Sequence, residues 1–161
     1  MASELLVDLS KIDLSHTVVS KEGIYEVQPQ RYEFEQLNGV ISIDVPNGII
    51  VGYKDVRADE FWVKGHIPGR PVMPGALLLE AAAQLCCYLY KMTIPSVKDK
   101  FVGFAGIDDA RFRREVLPGN RLILIGKRLE MNARACKSKA QGVIDGKLAF
   151  ECINIGMALK G

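Results

Sequence analysis

Residues 60–92 decide the fold, and they read EFWVKGHIPGRPVMPG followed by ALLLEAAAQLCCYLYKM. The first part, residues 60–75, is crowded with glycine and proline, which exclude a continuous helix or an inner strand. The second part, residues 76–92, is rich in alanine and leucine, which favour a helix strongly. We expect Pro74 to be the first helical residue, because its missing N–H would have no partner there. Since the helix is apolar almost all round, it should be buried.

Strand-like segments flank the helix on both sides. Before it, VISIDV and IIVGYKDV form a predicted hairpin around the turn Pro46-Asn47-Gly48. After it come FVGFAGI, ARFRREV, RLILIGKRLE and KLAFECINIGMAL, and we interpret Asp108-Asp109, Pro118-Gly119 and Asp145-Gly146 as the turns between them. Two strands, a buried helix and further antiparallel strands predict an α+β fold in which a curved antiparallel sheet encloses one long helix.

The length of 161 residues and a hydrophobic fraction of 48% fit one soluble globular domain. We interpret residues 1–23 as a loosely attached N-terminal leader and residues 24–161 as the domain. The leader has acidic residues and no unbroken apolar run, so we expect neither a signal peptide nor a membrane anchor, and a cytoplasmic location. The net charge of +2 gives no electrostatic reason to expect nucleic acid or a membrane as a partner.

The cysteines and histidines do not form a metal-binding pattern. Cys86, Cys87, Cys136 and Cys152 lack CxxC spacing, and we expect them to be reduced, mostly buried thiols. His16 and His66 are the two histidines, so no zinc site with the known ligand spacings can be assembled. We expect no metal and no organic cofactor.

Glu80 and Gln84 are the only strongly polar side chains of the helix before Tyr88, and they are four residues apart on one face. A carboxylate among apolar neighbours is costly unless it is paired or protonated. A carboxyl group that keeps its proton near neutral pH can act as a general acid. The alternative is a glutamate at the helix surface or in a hydrogen-bonded core network.

His66 lies in the stiff loop, between Gly65 and Ile67-Pro68. A loop histidine is often only a solvated side chain, but this loop leads directly into the helix that carries Glu80. At Gly75, the unpaired amides that begin the helix carry partial positive charge, which suits a thioester carbonyl oxygen that becomes enolate-like. A base, a carboxyl acid and an amide dipole together predict a site for β-elimination.

The stretch GHIPGRPVMPG (65–75), with EAAAQ (80–84) behind it, resembles the hotdog-fold 3-hydroxyacyl-[acyl carrier protein] dehydratases of type II fatty-acid synthesis. The resemblance continues through FAGIDDARFRREVLPGNRL and VIDGKLAFE, and it covers residues 24–158. It implies a hotdog fold and the loss of water from a (3R)-hydroxyacyl thioester to give a trans-2-enoyl thioester. Glutamate at position 80, rather than aspartate, favours the non-isomerising branch of the family.

The resemblance also implies roles for individual residues. His66 would abstract the C2 proton, and Glu80 would protonate the departing hydroxyl. In the substrate-binding set, the Gly75 amide would bind the thioester carbonyl and the Val72 carbonyl would orient the imidazole. Gln84 is the third residue expected to bind the substrate.

The expected partners are a second copy of the chain and an acyl carrier protein with its phosphopantetheine-linked acyl chain. In the family, the His and Glu of one site come from different protomers, which implies a homodimer as the smallest active unit, with a hexamer of three dimers as the larger form. Edge strands favour a homo-oligomer independently. An acidic carrier would suit the basic residues of the later strands, although charged strand faces are common; these are Arg111, Arg113, Arg114, Lys127 and Arg128.

Three features depart from the family pattern. Ile67 stands where Phe is usual, Trp62-Val63 replaces a more typical aromatic pair, and residues 28–34 (QPQRYEF) match the Pro-His-Arg-Tyr-Pro-Phe start only loosely. They leave His66 and Glu80 in place but leave the acyl chain length and the carrier open. The alternative functions are a hotdog thioesterase, a dehydratase of another carrier-bound acyl pathway, and a non-catalytic acyl-binding subunit.

Overall fold

The computed structural model describes residues 3–160 and consists of one long helix with six strands and a few short turns of helix. The long helix α2 spans Gly75–Thr93, and a short helix α1 spans Lys21–Tyr25. The strands are β1 (Gly39–Asp44), β2 (Ile49–Asp55), β3 (Phe101–Phe112), β4 (Arg121–Met131), β5 (Ala135–Ile144) and β6 (Lys147–Leu159). Turns of 3-10 helix lie at Leu9–Lys11, Tyr32–Phe34 and Pro95–Val97.

The strands form one antiparallel sheet in the order β1-β2-β4-β5-β6-β3, and α2 packs on its inner face. The predicted α+β fold, one long helix enclosed by a curved antiparallel sheet, is therefore confirmed. Strand β3 lies at the edge of the sheet, and most of its side chains are exposed. Among the described residues, no helix combines the length and the apolar character needed to cross a membrane.

The helix is buried, as its apolar composition predicts. Leu78, Leu85 and Leu89 are each at most 3% exposed, and burial of one such side chain stabilises the fold by about 1.5–3 kcal/mol. The sheet has glycine where α2 comes closest to it. A Cβ atom at Gly52 would lie 2.7 Å from Leu85 Cδ1, and one at Gly126 would lie 3.1 Å from Cys86 Sγ. These positions let the helix lie deep in the sheet.

The predicted start of the helix is wrong by one residue. Pro74 is the N-cap, with ψ of 136°, and the helix begins at Gly75. The backbone of Pro74 is extended, but its carbonyl already accepts hydrogen bonds from the amides of Leu77 (3.0 Å) and Leu78 (3.1 Å). A residue that is extended yet accepts the first helical bonds is an N-cap by definition.

The interpretation of Asp108-Asp109 as a turn is also wrong. Both residues lie within β3, where the register with β6 shifts between Asp108 and Arg111. Asp109 has φ of 49°, so the irregularity is a bulge in one continuous strand rather than a reversal of direction. The turns at Pro118-Gly119 and Asp145-Gly146 are confirmed, as is the hairpin turn at residues 46–48.

Strand β5 was not identified from the sequence. Its inward-facing side chains include Cys136, Ser138 and Ala140, which are small or polar and alternate with Lys137 and Lys139. That pattern has little hydrophobic contrast, although all three small residues are buried between β4 and β6.

The N-terminal leader packs against the sheet rather than lying loosely attached. Its partly buried apolar side chains cover the outer face of the sheet; they are Leu5, Leu6, Val7, Leu9, Ile12 and Leu14. The amide of Leu6 donates to Gln141 Oε1 (2.8 Å), and Gln141 Nε2 donates to the carbonyl of Glu4 (3.0 Å). This packing was not predicted from the sequence, because the apolar residues of the leader follow no single period.

Candidate active site

The loop between β2 and α2 holds the imidazole of His66 in one orientation. Nδ1 of His66 lies 2.7 Å from the carbonyl oxygen of Val72. Because a carbonyl oxygen only accepts hydrogen bonds, Nδ1 is the donor in this contact. In the neutral form of the ring, this contact leaves the lone pair on Nε2, and an imidazole with that lone pair free can act as a base.

Buried side chains fix the position of this loop. The His66 amide donates to the carbonyl of Trp62 (2.9 Å), and Trp62 itself is only 3% exposed. Trp62 Nε1 donates to Glu60 Oε2 (3.0 Å), which also pairs with Lys54 Nζ at 3.0 Å. Burial lowers the pKa of Lys54, and the nearby Glu60 carboxylate offsets part of that effect. A paired, buried charge of this kind is costly to disturb, so the start of the loop is rigid.

The end of the loop is tied to the segment that follows β3. The amide of Met73 donates to the carbonyl of Val116 (2.8 Å), and the Arg70 guanidinium pairs with the Glu115 carboxylate. These contacts place the loop beside Phe112, whose ring lies against the first residue of α2. A Cβ atom at Gly75 would be 2.9 Å from Phe112 Cζ, so only glycine fits there without displacing the ring.

The amides of Gly75 and Ala76 have no hydrogen-bond acceptor within residues 3–160. They lie in the first turn of a 19-residue helix, where backbone N–H groups carry partial positive charge. His66, Val72 and Gly75 line one open cavity of about 360 Å³, together with Arg113 and Arg114 among others. The expected base, the carbonyl that orients it and the expected amide donor therefore share one cavity.

Glu80 is half-buried and held by Gln84. Gln84 Nε2 donates to Glu80 Oε1 (2.8 Å) and to the carbonyl of Phe34 (2.8 Å), while Gln84 Oε1 accepts from the amide of Gln36 (3.2 Å). Gln84 is 4% exposed, so these bonds are shielded from water. Gln28 Nε2 adds a bond of 2.6 Å to the carbonyl of Gln84. Gln84 thus fixes the Glu80 carboxyl group to the helix and to residues 28–36.

Within one chain, His66 and Glu80 line different cavities. The cavity beside Glu80 is narrow, about 60 Å³, and lies between α2 and strands β3, β5 and β6. Gln84 lines this second cavity as well. A single chain therefore groups His66 with Val72 and Gly75, and it groups Glu80 with Gln84.

The four cysteines are free, and three of them are buried, as the sequence predicts. Burial raises the pKa of Cys86 to about 12 and that of Cys87 to about 11. Burial likewise raises the pKa of Cys152 to about 12. Thiols with such pKa values stay protonated at neutral pH, so they are poor nucleophiles. Among the described residues, no group of three or more acidic, cysteine or histidine side chains is placed to hold a metal ion.

Two residues that shape the site were not identified from the sequence. Gln28 and Gln36 anchor the segment beside Glu80. Arg128 was expected to face a carrier, but its guanidinium donates to the carbonyls of Val45 and Pro46 in the β1–β2 turn. The glutamines at positions 28, 30 and 36 were a visible cluster, but a sequence does not show which glutamines are buried.

Comparison with known proteins shows the family of this chain. Residues 28–153 match the family model described as the FabA-like domain. The 3-hydroxyacyl-[acyl-carrier-protein] dehydratase FabZ of Nitratidesulfovibrio vulgaris (strain DP4) is 38% identical over 143 residues, covering 88% of this chain and 92% of that protein. The chain belongs to this dehydratase family. The FabZ protein of Clostridium novyi (strain NT) is 40% identical over 133 residues, covering 81% and 92%.

Solved structures show the same fold at lower sequence identity. The dehydratase heterocomplex ApeI:P from Xenorhabdus doucetiae matches with a TM-score of 0.71 and 13% identity, covering 85% of this chain and 91% of that one. The virulence protein Cj0977 from Campylobacter jejuni matches with a TM-score of 0.63 and 16% identity, covering 89% and 95%. Together with family membership, these matches confirm the hotdog fold expected from the sequence.

Proposed function

We propose that this chain is a (3R)-3-hydroxyacyl-[acyl carrier protein] dehydratase, a hydro-lyase that forms trans-2-enoyl thioesters in fatty-acid biosynthesis. Membership of the dehydratase family supports the reaction. One observation carries the mechanism: the His66 imidazole is held by the Val72 carbonyl with Nε2 free, in the cavity that contains the Gly75 amide. No step of the reaction needs a metal or an organic cofactor.

The elimination divides into two proton transfers and one bond cleavage. His66 Nε2 takes a proton from C2 of the substrate, and the electrons of that C–H bond pass into an enolate. The enolate oxygen accepts a hydrogen bond from the Gly75 amide, whose partial charge opposes the developing negative charge. The C3–O bond then breaks, and Glu80 gives its proton to the departing hydroxyl, which leaves as water. Each positioned acid or base accelerates such a step by about 10²–10⁴-fold.

The active site requires two chains in this proposal. His66 and Glu80 of one chain line separate cavities, while β3 is a 12-residue edge strand with Phe101, Phe104 and Phe112 exposed. An unpaired edge of this length readily pairs with another strand. We propose that β3 pairs with β3 of a second copy, so that His66 of one chain meets Glu80 of the other. The homodimer is then the smallest active unit, and a hexamer of three dimers preserves the same sites.

The partner that delivers the substrate is acyl carrier protein with its phosphopantetheine arm. Arg113 and Arg114 are exposed and line the His66 cavity, so they suit an acidic carrier at its mouth. Arg111 is exposed near the end of β3, and Lys127 is exposed on β4. We assign the enzyme to the cytoplasm, because four free cysteines fit a reducing compartment.

The test follows the enoyl group and the thioester separately. Purified protein is given crotonyl-[acyl carrier protein], and the absorbance of the conjugated enoyl thioester is recorded together with free thiol. The proposal expects loss of enoyl absorbance by hydration without release of thiol. Release of thiol would instead indicate a thioesterase, and no change with folded wild-type protein would indicate a non-catalytic subunit; either result contradicts the proposal.

A further inference from the structure

The narrow cavity beside Glu80 is lined by a buried polar side chain. Glu80 and Gln30, which are half-buried, line it together with Phe104, which is 48% exposed. Cys86 and Asn154 line it as well and are only 2% and 5% exposed. Cys86 follows Glu80 by six residues, so its Cα lies about 9 Å further along the helix axis. Because Glu80 borders this cavity, the cavity can receive the acyl chain of a substrate whose C3 hydroxyl lies at Glu80.

Asn154 has weak partners for a buried carboxamide. Its Nδ2 donates to Cys86 Sγ at 3.8 Å, and its Oδ1 accepts from the Cys152 thiol at 3.7 Å. Thiols are weak donors and weak acceptors, and within residues 3–160 Asn154 has no oxygen or nitrogen partner for its side chain. Across the sheet, Ser138 pairs with Asn154, and its fully buried hydroxyl has no partner in the same part of the chain.

A saturated acyl chain offers the Asn154 side chain no hydrogen-bond partner. It would fill the cavity with methylene groups and leave the Asn154 amide without a strong acceptor, which costs binding free energy. An oxygen atom in the distal part of the chain would accept from Nδ2. Sites with a buried polar group discriminate strongly against ligands that lack the matching polar atom.

We infer that Asn154 is a specificity-determining residue that binds an oxygen atom in the distal part of the acyl chain. The substrate class is then 3-hydroxyacyl thioesters with a second hydroxyl or keto oxygen in the distal part of the acyl chain. This inference rests on the proposed dehydratase function and adds the identity of the acyl group.

The experiment compares carrier-bound 3-hydroxyacyl substrates of equal chain length, one saturated and the others with a single hydroxyl moved along the distal half of the chain. For wild-type protein, kcat/KM should be about tenfold higher for the best oxygenated chain, which corresponds to about 1.4 kcal/mol. Asn154→Leu, similar in size and apolar, should bring this ratio to about one, chiefly by improving the saturated substrate. Ser138→Ala is the matched control, because Ser138 is buried beside Asn154 but does not line the cavity; its ratio should equal that of wild type.

The comparison of substrates with wild-type protein does not depend on any variant folding. Equal kcat/KM for all chains would overturn the inference, since water would then satisfy Asn154, while the dehydratase function would stand. A preference for oxygenated chains that survives in Asn154→Leu would assign the oxygen to another group and also overturn it. Absence of dehydration for every chain would overturn the proposed function and this inference with it.

Discussion

Gln84 Nε2 lies 2.8 Å from Glu80 Oε1, one helical turn further along α2, and the same nitrogen holds the carbonyl of Phe34. The carboxyl group is therefore oriented by a buried amide that also attaches residues 28–36 to the helix. We propose that Gln84 is a positioning residue, and that its substitution should affect the acid step as well as stability.

Gln84→Leu should lower kcat by at least about tenfold with little change in KM, because Glu80 loses the donor that orients it. The loss should fall on kcat and not on KM, because the acid is misaligned while substrate binding is retained. The free energy of unfolding should fall by about 1–3 kcal/mol, as the Gln36 amide loses its acceptor. Gln36→Leu is the control, because it removes a buried glutamine side chain without touching Glu80. A change of KM equal to that of kcat in Gln84→Leu, or an equal loss of kcat in Gln36→Leu, would argue for a purely structural role.

His66→Ala and Glu80→Gln should each lower kcat/KM by about 10²–10⁴-fold while the dimer stays folded. The two inactive variants should regain activity when they are unfolded and refolded together. In a random mixture half of the dimers contain both variants, and each of these has one intact site, so about a quarter of the wild-type activity should return. Recovery is measured as kcat/KM against the mixing ratio. If mixtures stay inactive although mixed dimers are detected by mass, both groups of a site belong to one chain.

Gly75→Ala should lower kcat/KM by about 10–10³-fold, because the added Cβ displaces Phe112 and moves the amide that stabilises the enolate. The alanine retains an amide, so the loss should come from geometry alone. Phe112→Leu in the same chain makes room for the Cβ and should restore part of the activity. Kinetic constants of the two single variants and the double variant form the test. Equal activity of Gly75→Ala and its double variant would show that Phe112 does not set the position of the amide.

Stability at alkaline pH should depend on the buried thiol of Cys86. Burial raises its pKa from the ordinary 9.0 to about 12, so between these values the unfolded chain loses the proton and the folded chain keeps it. The unfolded state then binds fewer protons, and the free energy of unfolding falls as pH rises, by up to about 1.4 kcal/mol per pH unit for this group. The contribution is complete below pH 9 and is lost through pH 12.

Denaturant unfolding at several pH values above 9 checks this expectation. In Cys86→Ala, the free energy of unfolding should fall less steeply with pH than in wild type, by up to about 1.4 kcal/mol per pH unit. Leu89→Ala, which also leaves a cavity under α2 but removes no titrating group, should lower stability equally at every pH. If the free energy of unfolding falls equally steeply with pH in wild type and in Cys86→Ala, the Cys86 thiol is not the cause of the decline.

Much of the fold was readable from local pattern. The glycine- and proline-rich loop, the helix behind it and three of the four predicted turns needed only backbone rules and residue preferences. The predictions of turns and strands were wrong where local residue preferences and sheet pairing disagree. Two successive aspartates are typical of a turn, but the pairing of β3 with β6 on both sides of them makes the site a bulge. Strand β5 was missed because packing against β4 and β6, rather than hydrophobic alternation, stabilises it.

The amino-acid sequence by itself determined the family, the fold class and the spacing of His66 and Glu80, because covalent order fixes which residues begin the helix and which lie one turn further along it. Only the tertiary structure decided that Gln84 contacts Glu80, that Phe112 packs on Gly75 and that Asn154 lines the cavity beside Glu80. Those contacts join residues from distant parts of the chain. Their distances follow from how the sheet curves around the helix, and no local pattern records that curvature.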